Sequence, residues 1–167
     1  MKRNFLSLIC IIIISVTFCS CGKGFDFRKG EYEWELEYFG EEIYSELHEP
    51  CSEEDREELQ PLLDDIEKAF SSIYSSGEEA EEELGFPLYG YAKCDPGTVR
   101  EEHNVKFLTG KIDGDSAYLW ISYWSSGYDF SGKVLEASGS EQNPVKARFT
   151  AEKQNGEWVF TGSNEHP

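Results

Sequence analysis

The sequence carries none of the short signatures that announce a chemistry: no Gly-x-Ser-x-Gly elbow, no phosphate loop and no dinucleotide fingerprint. Histidine is scarce, with His48, His103 and His166 the only three in 167 residues. The strongest catalytic signatures are thus excluded. Positive charge is scarce too, at 15 Lys+Arg against 33 Asp+Glu, a formal net charge of -18. The imbalance is local, because residues 31 to 85 hold 21 acids and only Arg56 and Lys68 as bases. Such a segment repels phosphate backbones, which argues against nucleic acid as a partner. It reads first as a solvated surface and second as a docking surface for a basic partner. Long apolar runs are also missing. The longest, Phe5 to Phe18, falls short of the roughly 20 residues that cross a bilayer.

What is present at the N-terminus has a recognisable order. Lys2 and Arg3 precede the apolar run, and Ser15, Thr17 and Ser20 close it, as in a secretory signal. Its end, Phe18-Cys19-Ser20-Cys21, resembles the lipobox of bacterial lipoproteins, with Phe18 where leucine is usual. The resemblance implies cleavage before Cys21, diacylglycerol on its thiol, and a protein held by lipid on the extracytoplasmic face of a bacterial membrane. Gly22, rather than Asp, after the cysteine would imply the outer membrane where there are two. Two or more acyl chains, at about 0.8 kcal/mol per buried methylene, make such anchoring effectively permanent. An ordinary secretory cut and an uncleaved anchor are the alternatives. The resulting organisation is a signal at 1–20, a lipidated tether at 21–30 and one domain over 31–165. Removing Cys10 and Cys19 and lipidating Cys21 leaves Cys51 and Cys94, an even pair in an exported chain, and a disulfide between them is expected.

Within the domain, Glu31 to Phe39 alternates acids with Tyr32, Trp34, Leu36 and Tyr38, the period of a strand. From Ser52 the pattern turns helical, with Leu59, Leu62, Leu63, Ile66, Phe70, Ile73 and Tyr74 recurring at three and four. Pro61 either kinks that helix or marks a break within it. A further helix is expected over Glu78 to Leu84, with Gly85 as cap and Pro87 as stop. Beyond residue 86 the pattern is of strands, with hairpin turns at Asp113-Gly114 and Asn155-Gly156. The second turn sets Ala151 opposite Phe160 and Lys153 opposite Trp158, giving an apolar surface for the amphipathic helix. The first sets Leu108 opposite Leu119 and Phe107 opposite Trp120, leaving both faces of that hairpin apolar. Something other than the helix should cover the aromatic face: a loop, a partner or a ligand.

Helices followed by long antiparallel strands ending in Gly156-Glu157-Trp158-Val159-Phe160 resemble the cone-shaped nuclear-transport-factor-two-like or cystatin-like folds. That resemblance covers residues 52 to 162 and implies an α+β domain, N-terminal helices on a curved antiparallel sheet, with a concave pocket. Enzymes of that class carry Asp/His pairs in the pocket, and no such pair is matched here. The aromatic set Phe107, Tyr118, Trp120, Trp124, Tyr128 and Phe130 reads either as core packing or as the lining of a site for an apolar or sugar-like ligand. His103, beside Glu101 and Glu102, is the one candidate acid/base group. Zinc at His48, Cys51, Cys94 and His103, a His48-activated Cys51 nucleophile, and calcium at Asp113-Gly114-Asp115 each lack part of the required set. No metal or cofactor is expected. The leading expectation is a non-enzymatic cell-envelope lipoprotein that binds an envelope protein or small ligand through Phe107, Tyr118, Trp120, Trp124 and His103. An enzyme using His103 with a nearby carboxylate, and an acidic module for a basic partner, are the alternatives.

Overall fold

The computed structural model describes residues 27–166. The expected signal at 1–20, the lipidation site Cys21 and the first part of the tether lie outside the described residues. The chain divides into two compact units, 1–41 and 42–167.

Helix α1 (Phe27–His48) crosses that division, and Gly40, with φ 80° and ψ 166°, is non-helical inside it. The strand expected at 31–39 is therefore a helix, and the last tether residues belong to the same element. Two physical reasons explain the correction. The longer window repeats at three and four through Leu36, Phe39, Ile43 and Leu47. Its many glutamates also favour helix and are depleted in strands.

In the second unit, Ser52 caps α2 (Glu53–Glu58) by accepting the Asp55 N–H at 3.0 Å. Leu59 separates it from α3 (Gln60–Phe70), and Pro61 falls in the first turn of α3, where its missing N–H costs nothing. Pro61 thus marks a break, not a kink. Helix α3 ends at Phe70, so Ile73 and Tyr74 leave the helical pattern: the Tyr74 N–H donates to the Lys93 carbonyl and the Lys93 N–H to that of Ser72. Helix α4 (Gly77–Leu84) stops at Gly85, whose φ of 71° suits glycine. A 3-10 turn (Leu88–Tyr91) leads into the sheet.

The sheet is antiparallel and has five strands: β1 (Arg100–Asp113), β2 (Ser116–Tyr128), β3 (Val134–Ser138), β4 (Val145–Gln154) and β5 (Glu157–His166). Its order is β1-β2-β4-β5, with β3 also paired to β2. The architecture is the expected α+β one, helices packed on an antiparallel sheet. One sheet face carries Leu119, Ile121, Tyr123, Val145, Ala147, Phe149 and Ala151, which close on Leu59, Leu62, Leu63, Ile66 and Phe70. Burying each large aliphatic side chain there contributes about 1.5–3 kcal/mol. The β4–β5 register sets Ala151 against Phe160 and Lys153 against Trp158, as the Asn155-Gly156 turn dictates. Both turn residues take positive φ, 56° and 90°, the requirement of the mirror-image hairpin turn.

The β1–β2 hairpin departs from expectation twice. Its turn residues are Gly114 and Asp115, between the paired Asp113 and Ser116, so the register slips by two residues. A slip of two preserves which face each side chain meets. A bulge between Phe107 and Thr109 does not: Phe107 pairs with Ile121 and Thr109 with Trp120, and Leu108 is the extra residue. Phe107 consequently packs against the helical core rather than beside Trp120.

Candidate functional site

The second sheet face, turned away from α3, presents Tyr118, Trp120, Ser122 and Trp124 on β2, with Thr109 and Lys111 beside them on β1 and Arg148 and Thr150 on β4. What covers its aromatic end is the last part of α1 and the residue that follows it. Glu46 accepts two hydrogen bonds from Arg148, Nε to Oε2 at 2.7 Å and Nη2 to Oε1 at 2.9 Å, and a third from the Trp120 indole at 3.1 Å. Glu49 accepts from Lys111 Nζ and from the Tyr118 hydroxyl, the latter at 3.1 Å. The Thr109 hydroxyl donates to the Glu49 carbonyl. These bonds answer the question raised by a two-sided apolar hairpin. Trp120 is fully buried under Glu46 and Arg148, and Tyr118 is half-covered.

The electrostatics follow the same geometry. Burial works against the Glu46 carboxylate, but the Arg148 and Trp120 bonds outweigh it and hold its pKa below the ordinary value. Hydrogen bonding to Glu46 raises that of Arg148. Burial and the Glu49 bond push the Tyr118 phenol far up, so it stays a donor at any physiological pH. Burial, with Arg148 nearby, lowers His166, whose ring sits 5.4 Å from Trp120.

Beside this network opens a cleft of ≈ 590 Å³, lined by Glu46, Glu49, Lys111, Tyr118, Arg148 and Thr150 among others. Hydroxyls of Ser116, Thr150 and Thr161 and the carboxylates of Asp113 and Glu152 complete its wall. It offers an aromatic edge with polar groups of both signs.

The sequence-predicted site residues do not all converge there. Tyr118 lines the cleft, Trp120 lies beneath it as a buried strut, and Trp124 lies further along the same face in a separate groove. Phe107, on the core face, receives the Arg56 guanidinium 3.9 Å above its ring. His103 is also on the core face, opposite Ser125, with Nδ1 2.7 Å from Glu101 and Nε2 3.0 Å from Glu67. Burial opposes its charge, yet the two carboxylates together raise its pKa above the ordinary value. An imidazolium with both N–H groups donating has no free nitrogen to take a proton.

Cys51 and Cys94 are not joined; both are partly buried thiols. The Cys51 thiol lies against the Gly110 backbone. Cys94 follows Lys93, whose buried ammonium donates to Ser125 at 2.9 Å, across from His103. The pair expected to form a disulfide is thus present as two free thiols. Burial raises both thiols above the usual range, which makes them poor nucleophiles. Among the described residues no group of three His, Cys, Asp or Glu side chains is placed to hold a metal ion.

Glu46, Glu49, Lys111 and Arg148 were not singled out by sequence reasoning. Arg148 was within reach, because it alternates with Phe149 and so had to share the Trp120 face once β2 and β4 were paired. Glu46 was not, since its helical segment and β4 are far apart in sequence and no local spacing reports that they meet.

No family model and no curated protein matches the chain. Among solved structures it is similar to the association domain of CaMKII from C. elegans, at 11% identity and a TM-score of 0.38, over 67% of this chain and 95% of that one.

Proposed function

We propose that the protein is a non-enzymatic binding domain, anchored by lipid at Cys21 on the outer side of a bacterial membrane, that takes a small polar ligand in the cleft beside Tyr118. The observation that carries the reading is the cleft itself. At ≈ 590 Å³ it falls within the range of about 300–1,000 Å³ typical of ligand sites, and it combines an aromatic edge with convergent hydroxyls and carboxylates. Its walls are fixed by the Glu46–Arg148 and Glu49–Lys111 pairs, so a ligand meets a preformed surface. The lipobox-like Phe18 to Cys21 supports the anchor and the location. The acid/base alternative at His103 has less support, because both of its ring nitrogens are committed to carboxylates.

Two-dimensional NMR of the protein against a library of small polar metabolites tests the site. Binding should move signals of Lys111, Tyr118 and Thr150, and filling the cleft with Thr150→Arg should abolish it. A ligand that shifts only residues elsewhere overturns the reading. Labelled palmitate should enter the wild-type chain in cells and fail to enter Cys21→Ser, and equal labelling of both would sink the anchor.

A further inference from the structure

The face that carries Tyr118 has a second opening, a groove of ≈ 340 Å³ at Trp124 lined by Asn104, Lys106, Ser122, Glu141 and Pro144. Strand register builds it: Asn104 pairs with Trp124 and Lys106 with Ser122, which sets these four side chains together on one side of the sheet. The 139–144 segment supplies the rim. In the Tyr118 cleft, Glu46, Glu49, Lys111 and Arg148 are used up on one another and on the aromatic tips. In the Trp124 groove, by contrast, the side chains of Asn104, Lys106, Ser122, Trp124 and Glu141 form no hydrogen bond or ion pair among the described residues.

We propose that this groove is a saccharide site. A sugar ring stacks its C–H face on the Trp124 indole, Asn104 and Ser122 exchange hydrogen bonds with ring hydroxyls, Lys106 donates and Glu141 accepts. Chemistry selects the ligand class. An apolar ligand would strip water from the amide, hydroxyl, ammonium and carboxylate without replacing their hydrogen bonds. A simple anion or cation would meet Glu141 or Lys106 as a like charge. A neutral polyhydroxylated ring has an apolar face for the aromatic platform and hydroxyls that both donate and accept. The volume sits at the small end of ligand pockets and suits one or two rings. The site is separate from the Tyr118 cleft and stands whether or not that cleft is occupied.

The test uses the full-length protein in a detergent without a sugar headgroup. The probes are cellobiose, maltose and the disaccharide of N-acetylglucosamine, each titrated into the millimolar range. The readouts are the NMR signal of the indole N–H that Trp124→Phe removes, in the wild type, and the affinity from titration calorimetry, in every variant. At least one probe should move that signal saturably, and Trp124→Ala should weaken the calorimetric affinity roughly tenfold, the scale of one lost aromatic contact. Asn104→Ala, at an exposed strand position, should weaken it several-fold and keeps the test open if Trp124→Ala does not fold. Tyr118→Ala should leave it within about twofold. No movement with any probe, or binding that survives both Trp124→Ala and Asn104→Ala, overturns the proposal. Binding lost in Tyr118→Ala but kept in Trp124→Ala also overturns it, and would instead assign the sugar to the cleft.

Discussion

Glu46 is the residue on which the aromatic face depends, since it alone satisfies both the Arg148 fork and the Trp120 indole. Glu46→Gln removes the charge while keeping the shape, and should cost about 1–3 kcal/mol in urea unfolding. Because the folded pKa of Glu46 is depressed, its contribution is present above the unfolded value near 4.5 and disappears as pH falls through the folded one. The deficit of Glu46→Gln should therefore vanish in acid. His103 has the opposite sign. Its folded pKa is raised, so its contribution is complete below the unfolded value of 6.5 and is lost as pH rises through the folded value. The stability gap between wild type and His103→Gln should be widest below the unfolded value of 6.5 and narrow as pH rises above it in paired denaturation curves. A gap that grows with pH would contradict the Glu101–His103–Glu67 arrangement. Single-residue chemistry of this kind was only partly legible. The sequence placed carboxylates beside His103 through Glu101 and Glu102, but Glu67 arrives from a different element, and no local spacing reports it.

Among the elements, the break between α2 and α3 at Leu59 comes close to β1, and Gly110 shows how closely. A Cβ there would stand 2.7 Å from Leu59 Cδ1 and 3.0 Å from the Tyr118 carbonyl. Gly110→Ala should destabilise by about 1–3 kcal/mol through overpacking, lowering the thermal midpoint without creating a cavity. In the core that α3 shares with the sheet, Ile66→Ala empties a fully buried site and should cost about 2–5 kcal/mol. Helix α3, α4 and the β4–β5 hairpin were readable because strong local signals and tertiary packing agree there: period-three-and-four leucines, a Gly85 cap with Pro87 beyond it, and an Asn-Gly turn. Two elements were not. Residues 31–39 satisfy a strand period and a helix period at once, and context from Phe39 to Leu47 decides. The β1–β2 pairing hides a bulge, and a bulge leaves no mark on alternation until the partner strand is known.

On the scale of the molecule, the second unit is held without a covalent cross-link. Alkylating the denatured, unreduced protein should label both Cys51 and Cys94, as read from intact mass, while native labelling should be slow because burial keeps the thiols protonated. Protection of both thiols until reductant is added would reinstate the bridge. The charge distribution also takes on a shape here. The bases Arg100, Lys106, Lys111, Lys146 and Arg148 all occupy the sheet face that carries the cleft and the groove, whereas the acids dominate the helices. That partition was invisible in the net charge. The spare residue at Leu108 has a last consequence, for how the chain can vary in length. With the bulge kept in place, losing Lys106 would turn the part of β1 before it inside out and send Val105 and His103 to the wrong side. At Leu108 the loss restores a regular ladder and leaves every side chain facing as before. Leu108 is the strand's expansion joint, where a one-residue deletion should be tolerated and a deletion at Lys106 should not.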